Sequence, residues 1–168
     1  MSDNAPQVVS VGEVMVELSR GKNGRFSLAY GGDTFNTAVY LARNGVSVGF
    51  AKAVGDHRYS DRIVQLAKEE GVATTSMLRV KDRLPGLYLI ETDKSGERTF
   101  HYWRETAPAR ELFELADWSA VAERLLTAKL IYFSSVTLSI YSNTGIGRFL
   151  AVLELARAKG VKVAFDTN

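Results

Sequence analysis

Gly31-Gly32-Asp33-Thr34-Phe35-Asn36 marks the point where an extended segment ends and an amphipathic helix begins. Glycine lacks a Cβ atom, so the pair lets the backbone bend sharply and lets a ligand approach it closely. Asp33 or Thr34 is expected to cap the helix. The predicted helix ends at Asn44-Gly45 and buries one apolar stripe, made of Phe35, Ala38, Val39 and Ala42.

The first turn of this helix is a candidate ligand site. Its backbone N–H groups have no partner within the helix, and they favour oxygen-rich or anionic ligands. Asn36 lies off the apolar stripe and close to these groups. Because Gly-Gly-Asp-Thr is also common turn chemistry, an ordinary helix start is the alternative that the residues leave open.

The composition indicates a globular protein that acts on a small molecule. The 168 residues are 46% hydrophobic and 24% charged, and 21 basic residues nearly balance 19 acidic ones. No basic run indicates nucleic acid or an anionic membrane as a partner. The absence of cysteine excludes disulfides and thiolate metal sites, and the two histidines are too few for a multi-histidine site. The first seven residues lack a signal pattern and no apolar run reaches membrane-spanning length, so we expect a cytoplasmic location.

Strands and helices alternate through most of the chain, which predicts an α/β fold with a largely parallel sheet. The predicted buried strands are 8–12, 46–54, 130–133 and 161–165, and the later helices begin near Ser60, Trp118 and Ser142. Glu13 and Glu17 follow the first strand, and one of them is expected to face the ligand. A solvated strand edge is the favoured interpretation for Glu13, whereas the two interpretations are balanced for Glu17.

The middle of the chain interrupts this rhythm with strands that no helix separates. Residues 74–80, 86–92 and 98–104 are predicted strands, and Asp93-Lys94-Ser95-Gly96 is a hairpin turn between the last two. Such a β excursion is too small for its own core, so it must cover the body or pair with another subunit. We therefore predict a β lid made of segments of about 17–31 and 74–105, through which the protein could form a homo-oligomer.

The lid strands concentrate aromatic side chains and one cation. Alternation puts Phe100, Tyr102 and Arg104 on one face of the last strand, and Tyr88 joins that face only if the hairpin loop has an odd length. Two phenolic hydroxyls and a guanidinium suit a polyhydroxylated acid, because arginine can bind a carboxylate with two hydrogen bonds. Cross-strand aromatic packing with a surface arginine is the alternative. His101 is expected to be a packing or interface residue.

The sequence ends at Asp166-Thr167-Asn168, directly after a predicted strand. Ligands of open parallel sheets sit beyond the carboxyl ends of strands, so the chain stops where functional loops are expected, and we predict that it is truncated. It contains no phosphate-binding P-loop motif, no nucleophile elbow, no zinc-protease motif and no dinucleotide-binding glycine motif. The residues alone therefore indicate a ligand-binding α/β domain without a defined reaction.

Residues 31–38, followed by Ala53-Val54-Gly55, resemble the N-terminal signature of the ribokinase-like sugar kinases. More narrowly, four stretches are similar to the 2-keto-3-deoxygluconate kinases: 83–88, 90–93, 96–100 and 102–104. The resemblance runs from the first strand to Asn168, so residues 1–168 would be the N-terminal portion of a ribokinase-like kinase domain. His57 stands where many members carry an acidic residue.

The resemblance implies ATP-dependent phosphorylation, with Mg²⁺, of the terminal hydroxyl of 2-keto-3-deoxygluconate. The implied partner is thus a small sugar acid. It also implies no catalytic residue in this chain, since the family carries its catalytic aspartate and most of its ATP site in a C-terminal half, and the 168 residues alone should be inactive. A fructokinase-like sugar kinase and a non-catalytic sugar-binding or dimerisation fragment are the alternatives. The implied substrate contacts are Gly31, Gly32, Asp33, Asn36, Tyr88, Tyr102, Trp103 and Arg104, and Asn168 is the implied cofactor contact.

Overall fold

A parallel sheet flanked by helices forms the body of the protein in the computed structural model, which describes residues 6–21 and 23–168. Residues 1–5, on which the missing signal pattern partly rests, and Lys22 of a predicted turn lie outside the described residues. Neighbouring strands of this larger sheet are parallel throughout. In spatial order they are β5 (Met77–Val80), β4 (Val48–Gly55), β1 (Val8–Val11), β8 (Leu130–Ser134) and β9 (Lys162–Asp166). The predicted α/β class is confirmed.

Helices cover both faces of the larger sheet, because side chains of its central strands alternate between two apolar clusters. Val8 and Phe50 pack with α1 (Asp33–Arg43) and α2 (Arg58–Glu69) on one face. Val9 and Ala51 pack with α3 (Trp118–Thr127) and α5 (Asn143–Ala158) on the other. Ser142 caps α5 as predicted, since its side chain accepts a hydrogen bond from the backbone N–H of Gly145.

A short helix that the periodicity did not predict, α4 (Ser135–Ile140), follows β8 without a loop. A capping box begins it: the Ser134 side chain accepts from the Thr137 backbone N–H, and the Thr137 side chain accepts from that of Ser134. A single 3-10 turn, Pro108–Glu111, links the two halves of the described chain.

A smaller sheet lies beside the body, with the order β3 (Phe26–Gly31), β2 (Met15–Arg20), β6 (Leu87–Thr92) and β7 (Arg98–Trp103). β2 and β6 are parallel, and the other two pairs are antiparallel. Thr92 pairs with Arg98, so the hairpin loop contains the five residues 93–97, and Tyr88 stands directly opposite Tyr102. The odd loop length that brings Tyr88 to the face of Tyr102 is therefore confirmed.

Three details of the sequence prediction are wrong. β5 pairs in parallel with β4, so this strand extends the larger sheet and is not part of the β excursion that was predicted to begin at residue 74. β9 is half-exposed and not buried, since among the described residues it pairs only with β8. Helix α1 has Gly32 as its N-cap, and glycine has no side chain with which to cap the helix. The Asp33 carboxylate accepts a hydrogen bond from Ser134 Oγ instead.

Among the described residues, no helix is both long enough and apolar enough to cross a membrane.

Candidate functional site

A cleft of about 200 Å³ lies between the smaller sheet and the start of α1, beyond the carboxyl ends of β1 and β8. This is where open parallel sheets bind ligands, because the loops that follow neighbouring strands converge there. Glycine, acidic, amide, phenolic and guanidinium groups share its surface with a few apolar side chains. The lining residues are Glu13, Met15, Gly32, Asp33, Asn36, Tyr88, Phe100, Tyr102, Arg104 and Val136.

Most of the candidate contacts named from the sequence meet in this cleft, although they are up to 72 positions apart in the chain. Gly32, Asp33 and Asn36 come from the start of α1. Tyr88 and Tyr102 come from the facing strands β6 and β7, and Arg104 follows β7. The cleft thus joins a helix start to an aromatic sheet face.

Three candidates lie elsewhere. Gly31 stands behind the cleft wall, where a Cβ atom would come within 2.8 Å of the Tyr88 hydroxyl oxygen. Trp103 points to the opposite face of the smaller sheet and lines a separate apolar cleft of about 420 Å³ with His57. Asn168 is exposed beyond β9, and its backbone N–H donates to Asp166 Oδ1, 2.9 Å away.

The missing side chain of Gly32 allows the helix start to approach the opposite loop. A Cβ atom there would lie 2.1 Å from the carbonyl oxygen of Glu13 and 3.2 Å from the Cα atom of Val14. Both neighbours are backbone atoms, which cannot rotate away. Glycine at position 32 is therefore required by close packing, and this packing sets the distance between α1 and the loop that carries Glu13.

Tyr88, Phe100 and Tyr102 form the aromatic wall of the cleft. Their ring centroids are 6.0 to 6.3 Å apart, and the Phe100 and Tyr102 rings are stacked. The guanidinium carbon of Arg104 lies 5.9 Å from the centroid of Tyr102, within the range of a cation–π contact. This wall presents flat apolar surface edged with hydroxyl groups, a surface suited to a sugar-like ligand.

Glu17 orients the hydroxyl of Tyr88. The Tyr88 hydroxyl donates its hydrogen to Glu17 Oε2, and Ser19 Oγ donates to Glu17 Oε1 at 2.8 Å. Burial, followed by this carboxylate, raises the pKa of Tyr88, so its hydroxyl stays protonated. Because that proton is already donated, the oxygen is left to accept a hydrogen bond from a ligand hydroxyl, whereas the sequence interpretation had tyrosine as the donor.

Glu13 and Arg104 form a buried charge pair at the floor of the cleft, so the interpretation of Glu13 as a solvated strand edge is wrong. The Glu13 side chain is 3% exposed and that of Arg104 is 16% exposed. The two groups are in ion-pair contact, but their orientation is not that of a hydrogen bond. Both carboxylate oxygens, and Nε and Nη2 of Arg104, have no hydrogen-bond partner among the described residues.

Lys52 places a second cation beneath this pair. It is 1% exposed and lies in β4, and its Nζ donates to the carbonyl oxygen of Val14. Burial lowers its pKa to about 8, against the opposing effect of the Glu13 carboxylate and with a smaller contribution from Arg104. The nearby Tyr141 hydroxyl is also buried, and desolvation and Glu13 raise its pKa.

Sequence reasoning left out Lys52, Ser134 and Tyr141, and it gave Glu13 the wrong environment. A lysine inside the otherwise apolar run 48–55 is the one signal that could have pointed to Lys52. Nothing in the local pattern indicates that Glu13 and Arg104, 91 positions apart, become partners. Their pairing depends on the packing of the smaller sheet onto the body.

We expect Lys52 to give the free energy of unfolding an unusual pH dependence. Between pH 8 and pH 10 the unfolded chain keeps this proton, with an ordinary pKa of 10.5, while the folded chain loses it. Stability should therefore rise across this window by up to about 3 kcal/mol, since each pH unit contributes about 1.4 kcal/mol. Urea denaturation at successive pH values measures the rise, and Lys52→Met should abolish it.

Above pH 10 the raised pKa values of Tyr88 and Tyr141 should make the free energy of unfolding fall again. A flat profile in the unsubstituted chain would contradict the assignment.

A parallel sheet with helices on both faces, a small sheet facing a glycine-rich helix start and a sugar-sized polar cleft define a ribokinase-like fold. The PfkB protein from Polaromonas matches it with a TM-score of 0.85 at 23% identity, over 98% of this chain and 56% of that one. The chain belongs to the pfkB family of carbohydrate kinases, whose family model matches residues 5–168.

Within this family the chain is similar to 2-dehydro-3-deoxygluconokinases. It is 40% identical over 165 residues to the one from Dickeya dadantii, covering 96% of this chain and 53% of that protein. The solved 2-dehydro-3-deoxygluconokinase from Thermotoga maritima has a TM-score of 0.82 at 27% identity, over 96% of this chain and 50% of that one. The chain spans about half the length of the curated relatives it matches.

Proposed function

We propose that this chain is the substrate-binding part of a sugar-acid kinase that phosphorylates 2-keto-3-deoxygluconate with ATP to give 2-keto-3-deoxy-6-phosphogluconate. The observation that carries the proposal is the Arg104 guanidinium beside a cleft whose other groups suit hydroxyls. Relatives named 2-dehydro-3-deoxygluconokinase, a synonym for the same activity, support it. The compartment stays a prediction.

Each cleft residue suits a different part of the proposed ligand. Arg104 binds the carboxylate, since it is the one guanidinium that lines the described cleft. Asn36 offers both a donor and an acceptor to hydroxyls, Asp33 offers carboxylate oxygen, and Tyr88 accepts. Tyr102 packs against the carbon skeleton. Smaller-sheet strands β2, β3, β6 and β7 would then act as the lid of the cleft.

Phosphoryl transfer needs a proton acceptor at the attacking hydroxyl and fixed positive charge at the transferred group. The two acids of the cleft are engaged, Glu13 with Arg104 and Asp33 with Ser134. The described residues include no group of three or more acidic or histidine side chains that fits Mg²⁺, and exposed Asn168 alone does not make an ATP site. The described residues therefore do not fit ATP or Mg²⁺ by themselves, and we propose that the 168 residues are inactive alone.

A coupled assay of ADP release tests this proposal. We expect turnover of 2-keto-3-deoxygluconate by an extended form, in which the chain continues past Asn168 to the length of its relatives, and none by residues 1–168. Robust turnover by the short chain would contradict the proposed inactivity. An extended form that phosphorylates fructose and ignores the sugar acid would favour the fructokinase-like alternative.

The opposite face of the smaller sheet supports a proposal that two copies associate. Exposed apolar side chains cover it, at 49% exposure for Leu28, 57% for Leu84 and 56% for Trp103. These three side chains line the same apolar cleft, and exposed apolar surface of this kind is typical of protein interfaces. Light scattering measures the association. If neither residues 1–168 nor the extended form turns over sugar, a non-catalytic dimerisation fragment is the interpretation that remains.

A further inference from the structure

Lys52 is an electrostatically costly residue in an apolar strand. All eight residues of β4 are buried, and the strand contributes Phe50 and Val54 to the apolar cluster on the same face as Lys52. A buried ammonium group loses its hydration, and here it donates to a single backbone carbonyl. An apolar side chain of the same length would fill the space without this cost, so packing alone does not account for a lysine.

The acceptor of that hydrogen bond ties Lys52 to the cleft. Val14 lies between Glu13 and Met15, and both of these residues line the cleft. The ammonium group therefore supports the backbone of the cleft floor from below. It also lies close enough to Glu13 and Arg104 for both charges to act on it.

The charges beneath the floor do not cancel. Glu13 contributes one negative charge, and Arg104 and Lys52 contribute two positive charges, which leaves one net positive charge. The hydroxyl of Tyr141 beside this cluster stays neutral. The other carboxylates near the cleft lie apart from Lys52: Asp33 accepts from Ser134 Oγ, and Glu17 accepts from the Tyr88 hydroxyl. Five of the buried side-chain atoms without a hydrogen-bond partner among the described residues belong to the same cluster: Glu13 Oε1 and Oε2, Arg104 Nε and Nη2, and Tyr141 Oη.

We propose that Lys52 is a positioning residue that acts through Glu13 and Arg104, giving the cleft floor one net positive charge that the carboxylate of a bound sugar acid neutralises. This inference rests on the proposed function, and it explains why the cleft would prefer a sugar acid to a neutral sugar. If the lysine were absent, Glu13 would neutralise Arg104 internally and the cleft floor would attract an anion no more than a neutral ligand.

A coupling between binding and protonation follows from this arrangement. In the ligand-free cleft, burial holds the pKa of Lys52 near 8. A bound carboxylate stabilises the charged ammonium and so raises that pKa. Affinity for the acid must therefore fall once the pH exceeds 8, by as much as tenfold per pH unit, while the affinity for an uncharged ligand does not fall in this way. Neither histidine lines the cleft to imitate this effect.

The test measures the Kd of 2-keto-3-deoxygluconate and of its neutral primary amide by titration calorimetry on the 168-residue chain, from pH 6.5 to 9.5. For the unsubstituted chain we expect acid binding to weaken about tenfold between pH 8 and 9.5, with amide binding unchanged. Lys52→Met should weaken acid binding about tenfold more than amide binding at pH 7, and it should remove the pH dependence of acid binding. Lys68→Met, at an exposed lysine of α2, is the matched control.

Parallel pH profiles for acid and amide in the unsubstituted chain would overturn the inference, as would a Lys52→Met variant that keeps the affinity and pH profile for the acid. The first comparison needs no variant, so it holds even if Lys52→Met fails to fold. Failure of the proposed function is a separate result, because the extended form would then show no turnover of the acid at any pH.

Discussion

Replacing Arg104 by methionine is expected to lower kcat/KM for 2-keto-3-deoxygluconate by about 100-fold in the extended form, equivalent to about 3 kcal/mol. The reason is that Arg104 is the one guanidinium lining the described cleft, and its mostly buried position strengthens a bond to carboxylate. Turnover of a neutral sugar should change much less. The coupled assay with both substrates measures the difference.

Arg98→Met is the matched control, because Arg98 begins β7, the strand that Arg104 follows, and alternation puts it on the same face, but it is exposed. The Arg104 substitution also leaves Glu13 buried beside one cation fewer, which costs stability. Thermal denaturation of Arg104→Met measures this cost separately from the loss of turnover. Equal losses for acid and neutral sugars would show that Arg104 serves the fold and not the ligand.

Gly32→Ala is expected to lower the free energy of unfolding by about 3 kcal/mol, because overpacking against backbone atoms forces the main chain to move. The added Cβ atom would lie 2.1 Å from the carbonyl oxygen of Glu13. The strain falls on the loop that carries Glu13, so the cleft floor should shift and ligand affinity should fall with stability. Urea denaturation and calorimetric titration measure the two effects.

Gly147→Ala is the control for this substitution. Gly147 is an exposed residue within α5, and a Cβ atom there meets no atom within 4 Å. Alanine favours the helix over glycine, so this variant should gain about 0.5 to 1 kcal/mol. If Gly32→Ala left stability unchanged, the close approach between the helix start and the Glu13 loop would not hold in solution.

Local pattern was sufficient for most of the secondary structure. The 3.6-residue period of α1 and the buried run that became β4 both depend on which neighbouring side chains are apolar, and this is visible in the chain itself. The sequence predicts that Tyr88 shares a sheet face with Tyr102 only if the hairpin loop has an odd number of residues. In the structure the loop has five residues, 93–97. The edge strands β5 and β9 were less well predicted, because sheet membership and burial depend on partners that are distant in sequence.

The sequence by itself determined the alternation that gives the α/β body, the glycine pair at the helix start and the set of aromatic and cationic residues on one strand face. Tertiary structure alone decided which charges meet. Glu13, Lys52 and Arg104 lie on three separate segments of the chain, and their cluster exists because the smaller sheet packs over the end of β1. Electrostatic interactions depend on distance and burial, which no local periodicity encodes, so the charged floor beneath the Gly31-Gly32 helix start is visible only in the folded chain.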